Sequence, residues 1–475
     1  MQFMRNFKQL RKRSSVFLAF VIAMCSIILS PQRAARAAGV VGNGTPASCT
    51  SNALQAAIEG GGLVTFDCGA NPHTIVTDTY VITQTVTIDG AGLITFDGDD
   101  SRQHFYVLSN GDLTVKNLKL SKGNQTQGGS ILNVGKTSID NVIFQNNSAL
   151  EDGGAIWSSG TLSITRATFD QNKTTTNTLA IGYGGAIASL GVMTMTDSMM
   201  MGNQGRFGGS VFVGGSIGTP QAVIDRVLFI DNIASQNGGG LYTNSDISGT
   251  TILTITHSLF ESNDASFGGG LARFNARMFL SNSAFVENRS LNSGGGGGLF
   301  VGAGPTPDVG GYVQVRSTTF SGNSADGDKG GGIYNNGFVE LYHTTIVSNT
   351  NGVYTFGTNE ITRLRSSVLQ NPGSLNCDGD GTTPTNDGFN HSTDNSCGAG
   401  IPSKPDPMLA ELKTDSAVSP SYHLPLAGSP LINLGPANCP LRDQRNLLRP
   451  DACDIGAVEF GGYAARLMLP IVIRN

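Results

Sequence analysis

Leu253-Thr254-Ile255-Thr256-His257-Ser258-Leu259-Phe260-Glu261-Ser262-Asn263-Asp264-Ala265-Ser266-Phe267-Gly268-Gly269-Gly270-Leu271 holds the pattern that decides the fold of this chain. Two apolar residues, Leu253 and Ile255, flank polar Thr254; Phe260 and Asn263 then frame a Phe-x-x-Asn, and Gly268 opens a Gly-Gly-Gly-Leu. The Phe-x-x-Asn recurs at Phe144-Asn147, Phe169-Asn172, Phe229-Asn232, Phe285-Asn288 and Phe320-Asn323, with degenerate copies at Met200-Asn203 and Ile346-Asn349. Between the copies run GGSI from Gly128, GGAI from Gly153 and Gly184, and GGSV from Gly208. GGGL follows from Gly238 and Gly296, and GGGI from Gly330. The Phe-position step of 25 to 35 residues marks a solenoid whose units bury one another.

Alignment on the Phe position identifies the kind of solenoid. Five residues upstream every copy is apolar: Ile139, Ile164, Met195, Ile224, Ile255, Leu280, Val315 and Leu341. Seven upstream the column is again mostly apolar, and the column between is mostly polar. Alternation with period two is a β-strand. One short strand per repeat cannot pair with itself, so it pairs in parallel with its copy one coil along. The expected fold is all-β, a single-stranded parallel β-helix of about ten to twelve coils rising about 4.8 Å each. Phe at the inward end of the strand is expected to stack coil on coil. Asn is expected to hold a left-handed corner and to bond the Asn above and below. The paired glycines supply backbone angles or close approaches that a Cβ forbids.

Outside the repeat the chain divides further. Residues 1–38 read as a signal peptide: basic Arg5, Lys8, Arg11, Lys12 and Arg13, an apolar Val16 to Leu29, and a small-x-small Ala35-Arg36-Ala37. An uncleaved anchor is the alternative reading of that stretch. Removing its seven basic residues and no acidic ones from 30 and 35 leaves net −12, which argues against nucleic acid as partner. The mature chain has no apolar run long enough for a transmembrane helix, and a monomer is expected. Residues 39–80 form an N-terminal cap with a short helix over Ala53–Ile58, capped by Ser51 or Asn52 and stopped by Gly60-Gly61-Gly62. Repeats fill 81–370, a Pro-rich and Cys-containing cap fills 371–460, and 461–475 is an apolar tail that reads as a sorting tag or a docked strand. That C-terminal cap is expected to pack against the last coil.

Six cysteines fall in three local couples, Cys49/Cys68, Cys377/Cys397 and Cys439/Cys453, and an exported chain favours disulfides. No metal or cofactor is expected. Asp378-Gly379-Asp380-Gly381 starts like a calcium loop but has Phe389 at the twelfth position. Trp157 reads equally as core or as a sugar platform.

These paired motifs resemble the polymorphic outer-membrane protein repeat of the pectin-lyase-like right-handed β-helix superfamily. Cys49–Gly69, Ser392–Cys397 and the run Asp443-Gln444-Arg445-Asn446…Arg449-Pro450…Cys453-Asp454-Ile455-Gly456-Ala457-Val458-Glu459 resemble segments flanking such repeats in bacterial surface proteins, where Gly more often stands at Asn446. The resemblance implies a right-handed coil, an extracellular, cell-surface or outer-membrane location, and an adhesive role. It carries no catalytic residues to transfer.

An enzyme of this fold would need converging carboxylates with a His and a basic clamp. Asp97, Asp99 and Asp100 cluster locally without such partners. Three before the Phe position stand Asn141, Arg166, Asp197, Arg226, His257, Asn282, Ser317 and His343, in which Asp197, Arg226 and His257 are the catalytic candidates. The leading expectation is a non-catalytic surface protein that binds polysaccharide or a cell-surface partner; the alternative is a polysaccharide lyase or glycoside hydrolase with a cryptic site.

Overall fold

The structure, a computed structural model, describes residues 37–175, 181–215, 220–245, 251–302, 312–415, 419–449 and 452–463. The signal-peptide reading and most of the apolar tail lie outside these residues. Strands of each repeat pair in parallel with their copies in the coils before and after. Ile252–Thr256 lies between Gln221–Ile230 and Arg277–Ser281, which sets Ile224, Ile255 and Leu280 side by side. The chain is a parallel β-helix. Twelve strands, from Tyr80–Ile82 to Cys377–Gly379, form one sheet, and the eight from Ile131–Asn133 to Ile333–Asn335 follow the glycine motifs, in keeping with the expected ten to twelve coils. No helix of the described residues is long and apolar enough to cross a membrane.

Two internal columns hold the coils together. Phe144 stacks on Phe169 at 4.6 Å, and Phe229, Phe260, Phe285 and Phe320 form a second run with centroids 4.4 to 4.9 Å apart and rings within 10° of parallel. Met200 sits in register between Phe169 and Phe229 and divides the two runs. Beside this column runs a buried amide ladder. Asn147 Nδ2 donates to Asn172 Oδ1 at 2.9 Å, and the same bond repeats through Asn203, Asn232, Asn263, Asn288, Asn323, Asn349, Asn371 and Asn376. Each Oδ1 also accepts the backbone N–H of the preceding Asn, as Asn263 Oδ1 does from Asn232 N at 3.0 Å. The second amide hydrogen goes to the carbonyl at the Phe position one rung back, Asn263 to Phe229 O at 2.9 Å.

One expectation about this corner is corrected. The left-handed residue is the one before the motif Asn, as at Asn146, Gln171, Asp231, Ser262 and Glu287, with φ between 52° and 55°. The turn that this residue makes carries the motif Asn into the interior, where its amide rather than its backbone freedom is what the position requires. The glycine pairs behave as expected. Gly153 has φ 64°, and a Cβ on Gly154 would stand 2.0 Å from the Gly185 carbonyl of the next coil.

The ends differ from the sequence reading in three ways. The N-terminal helix spans Ser51–Glu59 with Thr50 as its cap, accepting from Ala53 N at 3.2 Å; Thr50 is the residue held in the extended conformation a cap needs. The ladder already begins before residue 81, since Ala37–Gly42 pairs with Gly62–Asp67, which pairs with Thr85–Asp97. At the other end Cys377–Gly379, Thr385–Asn386 and His391–Ser392 continue the coils. The chain beyond turns back along the flank instead of stopping at the last coil. Gln444 meets Thr319, His423 meets Ser321 and Ala457 meets Thr345. Outward-facing Leu259, Ala284 and Val286 lie under Leu412, and Val368 lies under Leu431 and Ile455. Those apolar outward residues explain why this module cannot stay at the tip.

Cys49–Cys68 and Cys377–Cys397 are disulfides. Cys439 and Cys453 are free thiols, so the third expected couple is not bonded. Cys453 instead donates to the Pro436 carbonyl at 3.2 Å, and burial beside Cys439 pushes its thiol pKa up.

Two substitutions separate the columns. Phe260→Ala removes the middle of a ring stack and is expected to cost about 3–5 kcal/mol. Asn263→Ala orphans the backbone N–H and one amide hydrogen of Asn232 and is expected to cost about as much, at about 1–3 kcal/mol per buried donor. Thr254→Ala, on the outward side, is expected to cost less than about 1 kcal/mol. Denaturant unfolding checks the order, and a Thr254 effect matching either of the others would contradict the assignment of inward and outward faces.

Candidate functional site

The corner three residues before the Phe position presents a variable side chain from each coil on a repeated left-handed backbone. Asn141, Arg166, Asp197, Arg226, His257, Asn282, Ser317 and His343 all have φ between 43° and 54°, apart from Arg226 at 55°. A left-handed residue here ends one strand and starts the next. Stacking of the coils then sets these residues in one column along the flank.

Within this column the candidate trio divides. Arg226 Nε and Nη2 grip the Asp197 carboxylate at 2.6 and 3.0 Å. This bidentate contact holds the Asp197 carboxyl below the usual carboxylate range. His257 is not part of that pair: its Nδ1 lies 2.9 Å from Asp225 Oδ1, which also accepts from Thr256 at 2.6 Å. Arg166 pairs with Asp140 of the preceding coil. Asp197 and Arg226 are both exposed, and pairs of that kind contribute about 0–1 kcal/mol. Both Asp197 oxygens are engaged by the Arg226 guanidinium, which also reaches Asp225, the partner of His257. Asp97 is likewise held, by Lys122 at 3.0 Å and by the Asp99 amide at 2.8 Å.

The Asp443-to-Glu459 run proves to be structural. Asp443 accepts from Arg445 Nε and Nη2 at 2.9 and 2.6 Å and from the backbone of Arg445, Leu447 and Glu459. Arg449 and Glu459 form an ion pair at 2.9 Å with both side chains 1% exposed. Arg449 also donates to the Gly456 and Ala457 carbonyls, each at 3.0 Å. Asn446 has φ 64°, the conformation for which Gly is the default and Asn the next choice.

Where this module crosses the corner column, a cavity of about 700 Å³ opens, within the size range of small-molecule sites. One wall is the column itself, His257, Asn282, Ser317 and His343; Arg316, Tyr342 and Arg365 flank it, and Asn438 to Arg442 close the far side. No Asp or Glu is among the lining residues. Sequence reasoning singled out the column but not this cavity. The missing wall comes from about 95 to 185 residues further along the chain than the column, and no local pattern announces that contact.

His343 is 4% exposed. Burial, with Arg449, Arg365 and Arg316 nearby, lowers its pKa from 6.5 to about 3, and a backbone hydrogen bond at Gly456 offsets this only in part. Below pH 6.5 the unfolded chain takes up a proton that the folded site refuses. Stability from this group is therefore complete above 6.5 and is lost as pH falls towards 3. At pH 5 that loss is expected to be about 2 kcal/mol. Urea unfolding at pH 7 and pH 5 checks it: His343→Gln is expected to lose about 2 kcal/mol less than the parent between the two, whereas equal losses would assign the titration elsewhere.

Trp157 is half-buried on the outer face of the glycine-motif sheet, against a strip that includes Phe212, Tyr242, Phe300, Tyr334 and Tyr354. Phe300, Tyr334 and Tyr354 stack on one another at 4.9 and 5.2 Å, so their faces are turned to each other and their edges outward. The strip packs as an external ladder. Asp378-Gly379 ends a strand of the same sheet.

Comparison with known proteins places the repeat. The Chlamydia polymorphic membrane protein repeat matches residues 141–159, 226–244 and 317–336. Each match starts at a left-handed corner residue, Asn141, Arg226 or Ser317, and runs through the Phe-x-x-Asn to the glycine motif. Metabotropic glutamate receptor-like protein R of Dictyostelium discoideum is 24% identical over 257 residues, which is 46% of this chain and 15% of that protein. The match thus covers less than a sixth of that relative. No solved structure matches the chain. Three matched copies, each spanning the corner, the ring column and the glycine strand, show that this chain carries the Chlamydia polymorphic membrane protein repeat, wound into a parallel β-helix.

Proposed function

We propose that this is an exported, surface-associated protein with a non-catalytic adhesive role, in which the β-helix is a stiff support for binding a glycan or a neighbouring cell. The observation that carries the reading is the state of the corner column. Asp197, the carboxylate among the catalytic candidates, is clamped by Arg226, and His257 is held by Asp225. Acid–base work on a glycosidic bond needs a protonated carboxyl and a second free carboxylate about 5–10 Å apart; a guanidinium-bound carboxylate with a lowered pKa is a poor proton donor. The three copies of a repeat named for membrane proteins support a surface location, and an N-terminal export signal in residues 1–38 supports the route.

The test is a polysaccharide panel with the purified protein, scored for binding and for products. Retention of one or more polysaccharides with no new reducing ends and no unsaturated product is expected. Asp197→Asn with Arg226→Gln is expected to leave binding within about twofold, as these two residues pair with each other on the flank outside the cavity. Product formation that the double substitution abolishes would replace this reading with the lyase or hydrolase alternative.

A further inference from the structure

The residue just before the left-handed corner repeats from coil to coil, and its register sets Ser281, Arg316, Tyr342 and Arg365 in one line across four consecutive coils. Coils rise by one strand spacing, so Arg316 and Arg365 stand about 10 Å apart along the rod with Tyr342 between them. Both arginines line the cavity where the C-terminal module crosses the flank, and Arg442 enters it from the module's side. Arg316 is exposed and the other two are half-buried, so all three are open to a solute. In a chain with more acidic than basic residues, three such cations on one cavity form a local positive field.

None of the three forms an ion pair with a described residue. Arg365 Nη2 donates to Asn438 Oδ1 at 2.7 Å and Arg442 Nη1 donates to the Asn446 carbonyl at 2.7 Å. Each of these contacts uses one of the five N–H donors of a guanidinium. Arg316 lies 5.4 Å over the Tyr342 ring, a contact that leaves its in-plane N–H groups available. Acidic side chains around the cavity have partners of their own: Glu340 holds Tyr312 and Gln314, Asp387 holds Arg363, and Asp443 holds Arg445.

We propose that this cavity binds a phosphomonoester, with its doubly charged phosphoryl group on Arg316, Arg365 and Arg442 and its organic remainder against Tyr342 and Leu441. A carboxylate has two oxygens and one charge, which a single guanidinium fork satisfies. A phosphoryl group carries three acceptor oxygens and up to two charges, and so gives three guanidiniums from two sides something to share. The cavity of about 700 Å³ has room for more than the ion alone. Leu441 on its far wall is 72% exposed, apolar surface that a bare phosphate would leave in water. The inference goes beyond the surface-binding reading and does not depend on it.

Calorimetric titration of the purified protein at about pH 8, above the second phosphate ionisation near 6, tests this with phenyl phosphate, its methyl diester, benzoate and inorganic phosphate. Phenyl phosphate is expected to bind at one site, with the singly charged diester and benzoate at least about tenfold weaker, as one charge-assisted contact is lost. Inorganic phosphate is expected to be at least about fivefold weaker, because it leaves the Tyr342 and Leu441 surface uncovered. Arg316→Gln is expected to weaken phenyl phosphate at least about tenfold with an unchanged melting temperature, and Arg316→Lys to recover part of the affinity. Lys136→Gln, an exposed cation outside the cavity, is expected to change nothing. No binding of phenyl phosphate would overturn the assignment, as would benzoate or the diester binding as tightly. Inorganic phosphate binding as tightly would overturn the ester and leave a site for the free ion. Equal losses in Arg316→Gln and Lys136→Gln would trace binding to overall charge and overturn the cavity.

Discussion

Everything in this fold depends on satisfying the backbone inside a corner. A parallel coil must turn sharply, and each turn points amide groups into an interior that water does not reach. The buried asparagines resolve this. Each side chain accepts from the backbone and the amide of one neighbour, donates to the next, and caps a carbonyl at the ring column. A glutamine is one methylene too long for the spacing, and an aspartate lacks the two donors. The ladder also fixes register, because a slip of one residue would put the amide outside and a strand's apolar face in water. The stacked rings add buried area beside it, yet Met200 and Ile346 replace Phe without breaking the coil, whereas Asn continues at every rung from Asn147 to Asn376.

This division of labour leaves the outside free to vary. With the interior set by Asn, Phe and the glycine pairs, the left-handed corner position accepts Asn, Arg, Asp, His or Ser on the same backbone. Its residues therefore report local chemistry on the flank more than fold. Arg226 and Asp197 neutralise one another on the open part of the column, while His257, Asn282, Ser317 and His343 form the wall of a cavity where the C-terminal module crosses them.

The C-terminal module is held by two kinds of contact. Apolar residues on the outer face, Leu259, Ala284, Val286 and Val368, lie under Leu412, Leu431 and Ile455. Polar bonds such as Thr319 to Gln444 and Thr345 to Ala457 N then fix its position along the rod. Inside the module the Arg449–Glu459 pair is fully buried. A buried pair of this sort adds little net stability but makes the loss of either partner costly, which suits a loop-rich segment that must keep one shape.

The sequence by itself determined the coil. Period-two alternation, the recurring Phe and Asn, and the glycine pairs are local signals repeated many times, so strand, direction of pairing and coil number could be read without coordinates. The same locality explains its misreadings. The motif Asn and the left-handed residue are adjacent, and only the turn geometry says which of the two does which job. Thr50 and Ser51 are both good caps, and only the backbone angle selects one. Tertiary structure alone decided where residues beyond His391 go, that Cys439 and Cys453 stay unbonded, and that three arginines from Arg316 to Arg442 meet around one cavity. Those contacts join positions with no shared period, through packing on a flank whose shape exists only after the coils have stacked.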